Sequence, residues 1–175
     1  MNSQANIVLT GFMGTGKSTV GRCLAAKLQR DFLDMDALIE QRAGRKISDI
    51  FAQDGEPVFR RLERALVQEL SAQTNRVIAT GGGVVLNPEN IADFSRNGLI
   101  VCLTAPPDVI LRRVAQETHR PLLEQGEKNE RIVRLLESRR ALYEAIPHRV
   151  DTSTLSPEEV AERILELFRE KAIES

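Results

Sequence analysis

The stretch GFMGTGKST, Gly11–Thr19, decides how this chain is read. Gly11, Gly16, Lys17 and Ser18 fit the spacing G-x-x-x-x-G-K-[ST], in which successive backbone N–H groups wrap a chain of phosphates. The context is the one this motif requires: NIVLT (Asn6–Thr10) before it is a short apolar run, and KSTVGRCLAAKLQR after it sets Val20, Leu24 and Leu28 on one helical face. The predicted unit is strand, loop, helix. The motif assigns the nucleotide phosphates to Gly14, Thr15, Gly16, Lys17, Ser18 and Thr19, with Lys17 reaching the β and γ oxygens and Ser18 ligating Mg²⁺.

The pattern recurs along the chain. FLDMD (Phe32–Asp36), RVIAT (Arg76–Thr80), LIVCLTA (Leu99–Ala105) and HRVDT (His148–Thr152) are further short β-prone runs with helical segments between them. Five strands alternating with helices predict an α/β fold, a parallel sheet covered on both faces. Asn87-Pro88 and Ser156-Pro157 read as helix starts, and Ser156 with Glu159 makes a capping box. The last helix is expected to bury Val160, Ile164, Leu167 and Phe168. In EPVFRRLERALVQEL the predicted buried stripe is Val58, Leu62, Leu66 and Leu70. The polar segment AQETHRPLLEQGEKNE (Ala115–Glu130) reads as a mobile loop.

Composition bounds the function. With 175 residues, 42% of them hydrophobic, and no repeat or linker, the expectation is one soluble globular domain spanning 1–175. No apolar run approaches the roughly 20 residues of a membrane helix, and residues 1–10 lack a signal-peptide layout, so a cytoplasmic location is expected and no membrane partner. A net charge of −1 gives no pull toward nucleic acid. Of the 24 basic residues 19 are arginine, the side chain suited to forked recognition of carboxylate and phosphate. Cys23 and Cys102 lie in apolar segments without metal or redox spacing and read as buried free thiols.

Two features say what a bound nucleotide is for. In an extended strand, Asp34 and Asp36 would project to one face about 7 Å apart at ~3.3 Å rise per residue, at the carboxyl end where parallel α/β sheets bind ligands. One could serve the Mg²⁺ shell and the other the attacking hydroxyl. Asp36 also reads as a cap for the helix DALIEQR, and the two roles are compatible. RVIAT runs into Gly81, Gly82 and Gly83, where backbone rather than side chain must approach something. The second acidic motif of motor ATPases and the N-K-x-D of guanine readers are both missing, which argues against a switch or motor.

Taken together, GFMGTGKSTVGR, DMD, VFRRLE, ATGGGVV, RPLL and RRALY stand in an order and at spacings that resemble shikimate kinase, from about Ile7 to the C-terminal helix. The resemblance implies a three-layer P-loop kinase fold related to nucleoside monophosphate kinases, strand order 2-3-1-4-5, with a substrate-binding region about 34–64 and a lid about 114–126. It implies a monomer that uses Mg²⁺ and transfers the γ-phosphate of ATP to the 3-hydroxyl of shikimate, toward chorismate and the aromatic amino acids. Residue by residue, it puts the substrate and catalytic aspartate at Asp36 and the magnesium-side aspartate at Asp34. The carboxylate-binding arginines fall on Arg60 and Arg140, and the substrate wall on Gly81, Gly82 and Gly83. Glu63 is matched as the partner that orients Arg60. Lys17 and Arg120 join Asp36 as catalytic residues, Arg120 from the lid onto ATP, and Arg112 is the adenine-side arginine, with Arg113 beside it able to serve. Other P-loop kinases, for gluconate or a nucleoside monophosphate, are the near rivals.

Overall fold

The computed structural model describes residues 4–117 and 125–173. A five-stranded parallel sheet has the order β2-β3-β1-β4-β5, built from β1 (Asn6–Gly11), β2 (Asp31–Asp34), β3 (Arg76–Ala79), β4 (Gly98–Thr104) and β5 (His148–Asp151). The central strand β1 runs in register with β3 (Val8 opposite Ile78) and with β4 (Val8 opposite Ile100). All six of its residues are buried, as a strand covered on both faces demands. The period of two then sorts its side chains. Ile7 and Leu9 join Leu99, Val101 and Leu103 of β4 under α1 (Lys17–Leu28) and α8 (Pro157–Ile173). Val8, with Ile100 and Cys102, faces the opposite layer.

That opposite layer comprises α2 (Met35–Ala43), α3 (Ile47–Asp54), α4 (Glu56–Ser71), α5 (Pro88–Asn97), α6 (Pro107–Glu117) and α7 (Gln125–Glu144), with a single 3₁₀ turn at Val84–Leu86. The helix punctuation follows the sequence. Asn87 Oδ1 caps α5 by accepting from the Glu89 N–H at 3.0 Å, and at α8 the Ser156 N–H donates to Glu159 Oε2 at 2.7 Å while Ser156 Oγ accepts from the Glu159 N–H at 3.2 Å. Val160, Ile164 and Phe168 are buried and Leu167 packs at the edge of the same cluster. Cys102 is buried, its thiol pushed up to about 11 by burial, whereas Cys23 is only half-buried.

Three expectations change. The stripe of α4 is Phe59, Glu63, Leu66, Val67 and Leu70, with Leu62 exposed and Val58 at the margin. A carboxylate occupies what the apolar spacing assigned to hydrocarbon. The strand β2 stops at Asp34 instead of running through Asp36, because Asp34 Oδ1 accepts from the N–H groups of Asp36 and Ala37 and so starts α2. The cap is thus Asp34, not Asp36. Finally, helix covers both ends of the segment read as loop, since α6 runs to Glu117 and α7 begins at Gln125. Arg120 lies outside the described residues.

Candidate active site

The glycine loop joins β1 to α1 at the carboxyl end of the sheet. Gly14 and Gly16 take φ of 74° and 92°, left-handed values that side chains resist, and Gly16 is the residue from which α1 starts. Thr15 is buried with its hydroxyl donating to Phe12 O at 2.8 Å, so the loop is held from within. Lys17 Nζ arches over it, donating to Gly11 O at 2.9 Å and Phe12 O at 2.8 Å. Ser18, on the first turn of α1, donates to Asp34 Oδ2 at 2.6 Å. Two hard oxygen donors therefore meet beside the loop, a set suited to a hydrated magnesium ion.

Asp36 stands one residue into α2 and presses against the backbone after β3. A Cβ on Gly81 would lie 2.7 Å from Asp36 Oδ1, and one on Gly83 would lie 2.7 Å from Arg60 Cζ. None of Gly81, Gly82 or Gly83 has a positive φ, so Gly81 and Gly83 are required for space and not for conformation, while a Cβ on Gly82 would meet nothing closer than 3.5 Å. The triple glycine is the floor on which an acid and a guanidinium rest. Burial raises the Asp36 carboxyl above the ordinary aspartate range and Asp34 adds to this, while the Lys17 ammonium and Arg60 guanidinium pull it back. That carboxylate is electrostatically between the phosphate loop and the arginine.

Arg60 is aimed by its own helix. Its Nε and Nη2 donate to Glu56 Oε1 at 3.1 and 2.9 Å, its Nη1 donates to Glu63 Oε2 at 2.8 Å, and it lies over the Phe59 ring at 5.1 Å. Phe59 in turn packs on Phe51 of α3, with ring centroids 4.9 Å apart. Glu63 is 2% exposed; burial pushes its carboxyl up, and the Arg60 hydrogen bond and charge oppose that. Its Oε1 has no partner among the described residues.

The structure separates two arginine pairs that the sequence left side by side. On α7, Arg140 is exposed and paired with Glu137, whereas Arg139 is half-buried, one helical turn before Tyr143, and its charge acts on both the Tyr143 hydroxyl and Glu63. Of the two, Arg139 and not the expected Arg140 is the arginine whose charge is felt at Glu63. On α6, Arg112 is 71% exposed beside Asp108. Arg113 instead donates to Gly14 O at 3.2 Å, Thr152 Oγ1 at 2.9 Å and Thr152 O at 2.6 Å, so of the two arginines left open by the sequence it is Arg113 that is held at the phosphate loop. Thr152, 3% exposed, also donates to Thr15 O at 3.1 Å.

Arg113, Thr152 and Pro157 line a cavity of about 410 Å³ with Gly14, Gly16 and Thr19, running from the phosphate loop to the start of α8. A volume of this size takes a nucleoside. Thr152, Pro157 and Tyr143 were not singled out as site residues in the sequence. Helical phase was the available signal: Arg139 continues the buried series Ile132, Tyr143 and Ile146, and Arg113 falls between Val109, Ile110 and Val114.

Comparisons with known proteins converge with this geometry. A shikimate kinase from Pelotomaculum thermopropionicum is 48% identical over 165 residues, covering 94% of this chain and 96% of that protein. The crystal structure of shikimate kinase from Acinetobacter baumannii in complex with shikimate superposes with a TM-score of 0.87 at 35% identity, covering 97% of this chain and 95% of that one. A gluconokinase from Sinorhizobium meliloti, 17% identical with a TM-score of 0.62 over 100% of this chain and 99% of its own, shares the fold alone. The family model described as shikimate kinase matches residues 13–169, which take in β2 to β5, the phosphate loop from Met13 onward and the glycine floor, and the chain belongs to the shikimate kinase family.

Proposed function

We propose that this chain transfers the γ-phosphate of ATP to the 3-hydroxyl of shikimate, giving 3-phosphoshikimate and ADP on the way to chorismate and the aromatic amino acids. The observation that carries this reading is the glycine floor, which seats Asp36 at Gly81 and Arg60 at Gly83 beside the phosphate loop. A small acid with several hydroxyls needs a forked cation at one end and an acceptor at the other. Arg60 and Arg139 supply the first and Asp36 the second.

In this mechanism the N–H groups of Gly14–Ser18 hold the phosphates and Lys17 moves from the loop carbonyls to the β and γ oxygens. Ser18 and Asp34 would hold Mg²⁺, which when bound neutralises charge on the phosphate oxygens. Asp36, its proton affinity raised by burial, orients the acceptor hydroxyl and takes its proton. Arg113 and Pro157 flank the base. Arg120 is proposed to reach the transferring phosphoryl group as a lid about 114–126 excludes water over a substrate region about 34–64. One domain spanning 1–175, acting as a cytoplasmic monomer, completes the proposal; no helix among the described residues is long and apolar enough to cross a membrane.

The test is ADP release from MgATP with shikimate, gluconate or a nucleoside monophosphate as acceptor, and NMR of the product. The expected result is turnover with shikimate alone and phosphate on the 3-hydroxyl. Turnover no faster with shikimate than without acceptor would overturn the reading.

A further inference from the structure

Tyr143 is 5% exposed on the last turn of α7, and no step above uses it. Its hydroxyl donates to Gly82 O at 2.7 Å, and Arg139 stands one helical turn earlier on the same side of α7, its positive charge acting on that hydroxyl. Since the Tyr143 O–H is committed to the Gly82 carbonyl and a guanidinium can only donate, it is the lone pairs of Tyr143 Oη that are left to receive Arg139. Burial pushes this hydroxyl up and keeps its proton in place. The ring stands edge-on to Phe12 at 6.4 Å and 81°, and the Phe12 carbonyl accepts from Lys17 Nζ. One side chain thus ties the glycine floor to the phosphate loop and stands one helical turn from the α7 arginine.

We propose that Tyr143 is a positioning residue for the acceptor pocket, its hydroxyl locking the Arg139 guanidinium to the middle glycine of the floor. The hydroxyl and the ring divide the work. The hydroxyl serves the acceptor side, and the ring, through Phe12, serves the phosphate loop. Tyr143→Phe separates them, because it deletes the donor and keeps the aromatic edge contact. Arg139 then loses its anchor and Gly82 O its partner, while the loop is undisturbed.

The inference rests on shikimate as the acceptor, and steady-state kinetics with calorimetric binding of shikimate test it. Tyr143→Phe is expected to raise the shikimate KM and Kd about tenfold, as loss of a charge-linked hydrogen bond does, with ATP KM held within about twofold. A matched control is Asn6→Ala, which removes buried hydrogen bonds to Gln73 O and from the Arg76 N–H at the remote end of β1. It should lower the thermal midpoint and move neither KM. In a double-mutant cycle, Arg139→Gln and Tyr143→Phe should together cost less than the product of their separate effects. Equal shifts in both KM values, no shift in either, a shikimate shift in Asn6→Ala, or independent effects in the cycle would overturn the role of Tyr143. A wild-type protein inactive on shikimate would refute the acceptor assignment instead, a distinguishable failure.

Discussion

Ser18 and Asp34 meet through one carboxylate with two duties: Oδ2 accepts from Ser18 Oγ at 2.6 Å, and Oδ1 accepts from the Asp36 and Ala37 N–H groups at 3.1 and 3.3 Å. Substitution should separate these duties. Both Ser18→Ala and Asp34→Ala are expected to raise the Mg²⁺ concentration needed for half-maximal rate about tenfold. Only Asp34→Ala removes a helix cap, worth ~1 kcal/mol, so it alone should lower the thermal midpoint, by about 2–4 °C. Metal titration and calorimetry check the pair, and an equal fall in both midpoints would contradict the division.

Asp36→Asn should abolish useful turnover, by about a thousandfold, while ATP still binds by calorimetry. The same substitution should stabilise the fold. The native carboxyl titrates above the unfolded value, so the folded state binds protons more tightly and loses stability as pH rises through its raised pKa. The variant, with no charge to bury, is expected to melt above wild type at about pH 7.5, the gap closing as pH falls toward the ordinary aspartate value of 3.8. A gap that widens on acidification would refute the burial argument.

The three glycines should differ when each becomes alanine. Gly81→Ala would push on Asp36 and should lower kcat, and Gly83→Ala would push on Arg60 and should raise the shikimate KM, each about ten- to a hundredfold. For Gly82→Ala the nearest atom is the Gly11 carbonyl oxygen at 3.5 Å, ordinary contact, so its effect should be the smallest. Steady-state kinetics rank them, and a uniform loss would argue for a conformational role.

Within each arginine pair one member should matter. Arg139→Ala is expected to raise the shikimate KM at least about thirtyfold and Arg140→Ala less than about threefold, the usual contrast between an inward and a solvated cation. Likewise Arg113→Ala should raise the ATP KM about tenfold, with Arg112→Ala near wild type. The reversed order in either pair would restore the reading taken from the sequence.

Most of the frame was legible because it depends on local chemistry: apolar runs before glycines make buried strands, and Asn87 and Ser156 cap helices wherever they precede proline. The misreadings arose where a side chain served two structures at once. Asp36 looked like a strand residue because the cap that ends β2 at Asp34 uses N–H groups supplied by the next helix. Glu63 was matched as the partner of Arg60, yet its place inside the α4 stripe was illegible, since burial of a carboxylate depends on Arg60 and on a glycine floor some twenty residues away. Arg139 and Arg113 were hidden by their neighbours, and only the phase of each helix against distant buried residues tells them apart.

A mechanical consequence follows from α7. Its 20 residues, at ~1.5 Å each, make a rod about 30 Å long, anchored near one end where Tyr143 grips Gly82. Swinging that rod by about 10° around its fulcrum would carry Gln125 roughly 5 Å but Arg139, one turn from the anchor, only about 1 Å. Wide excursions at the far tip are thereby geared down to almost nothing where the acid end of a guest would sit.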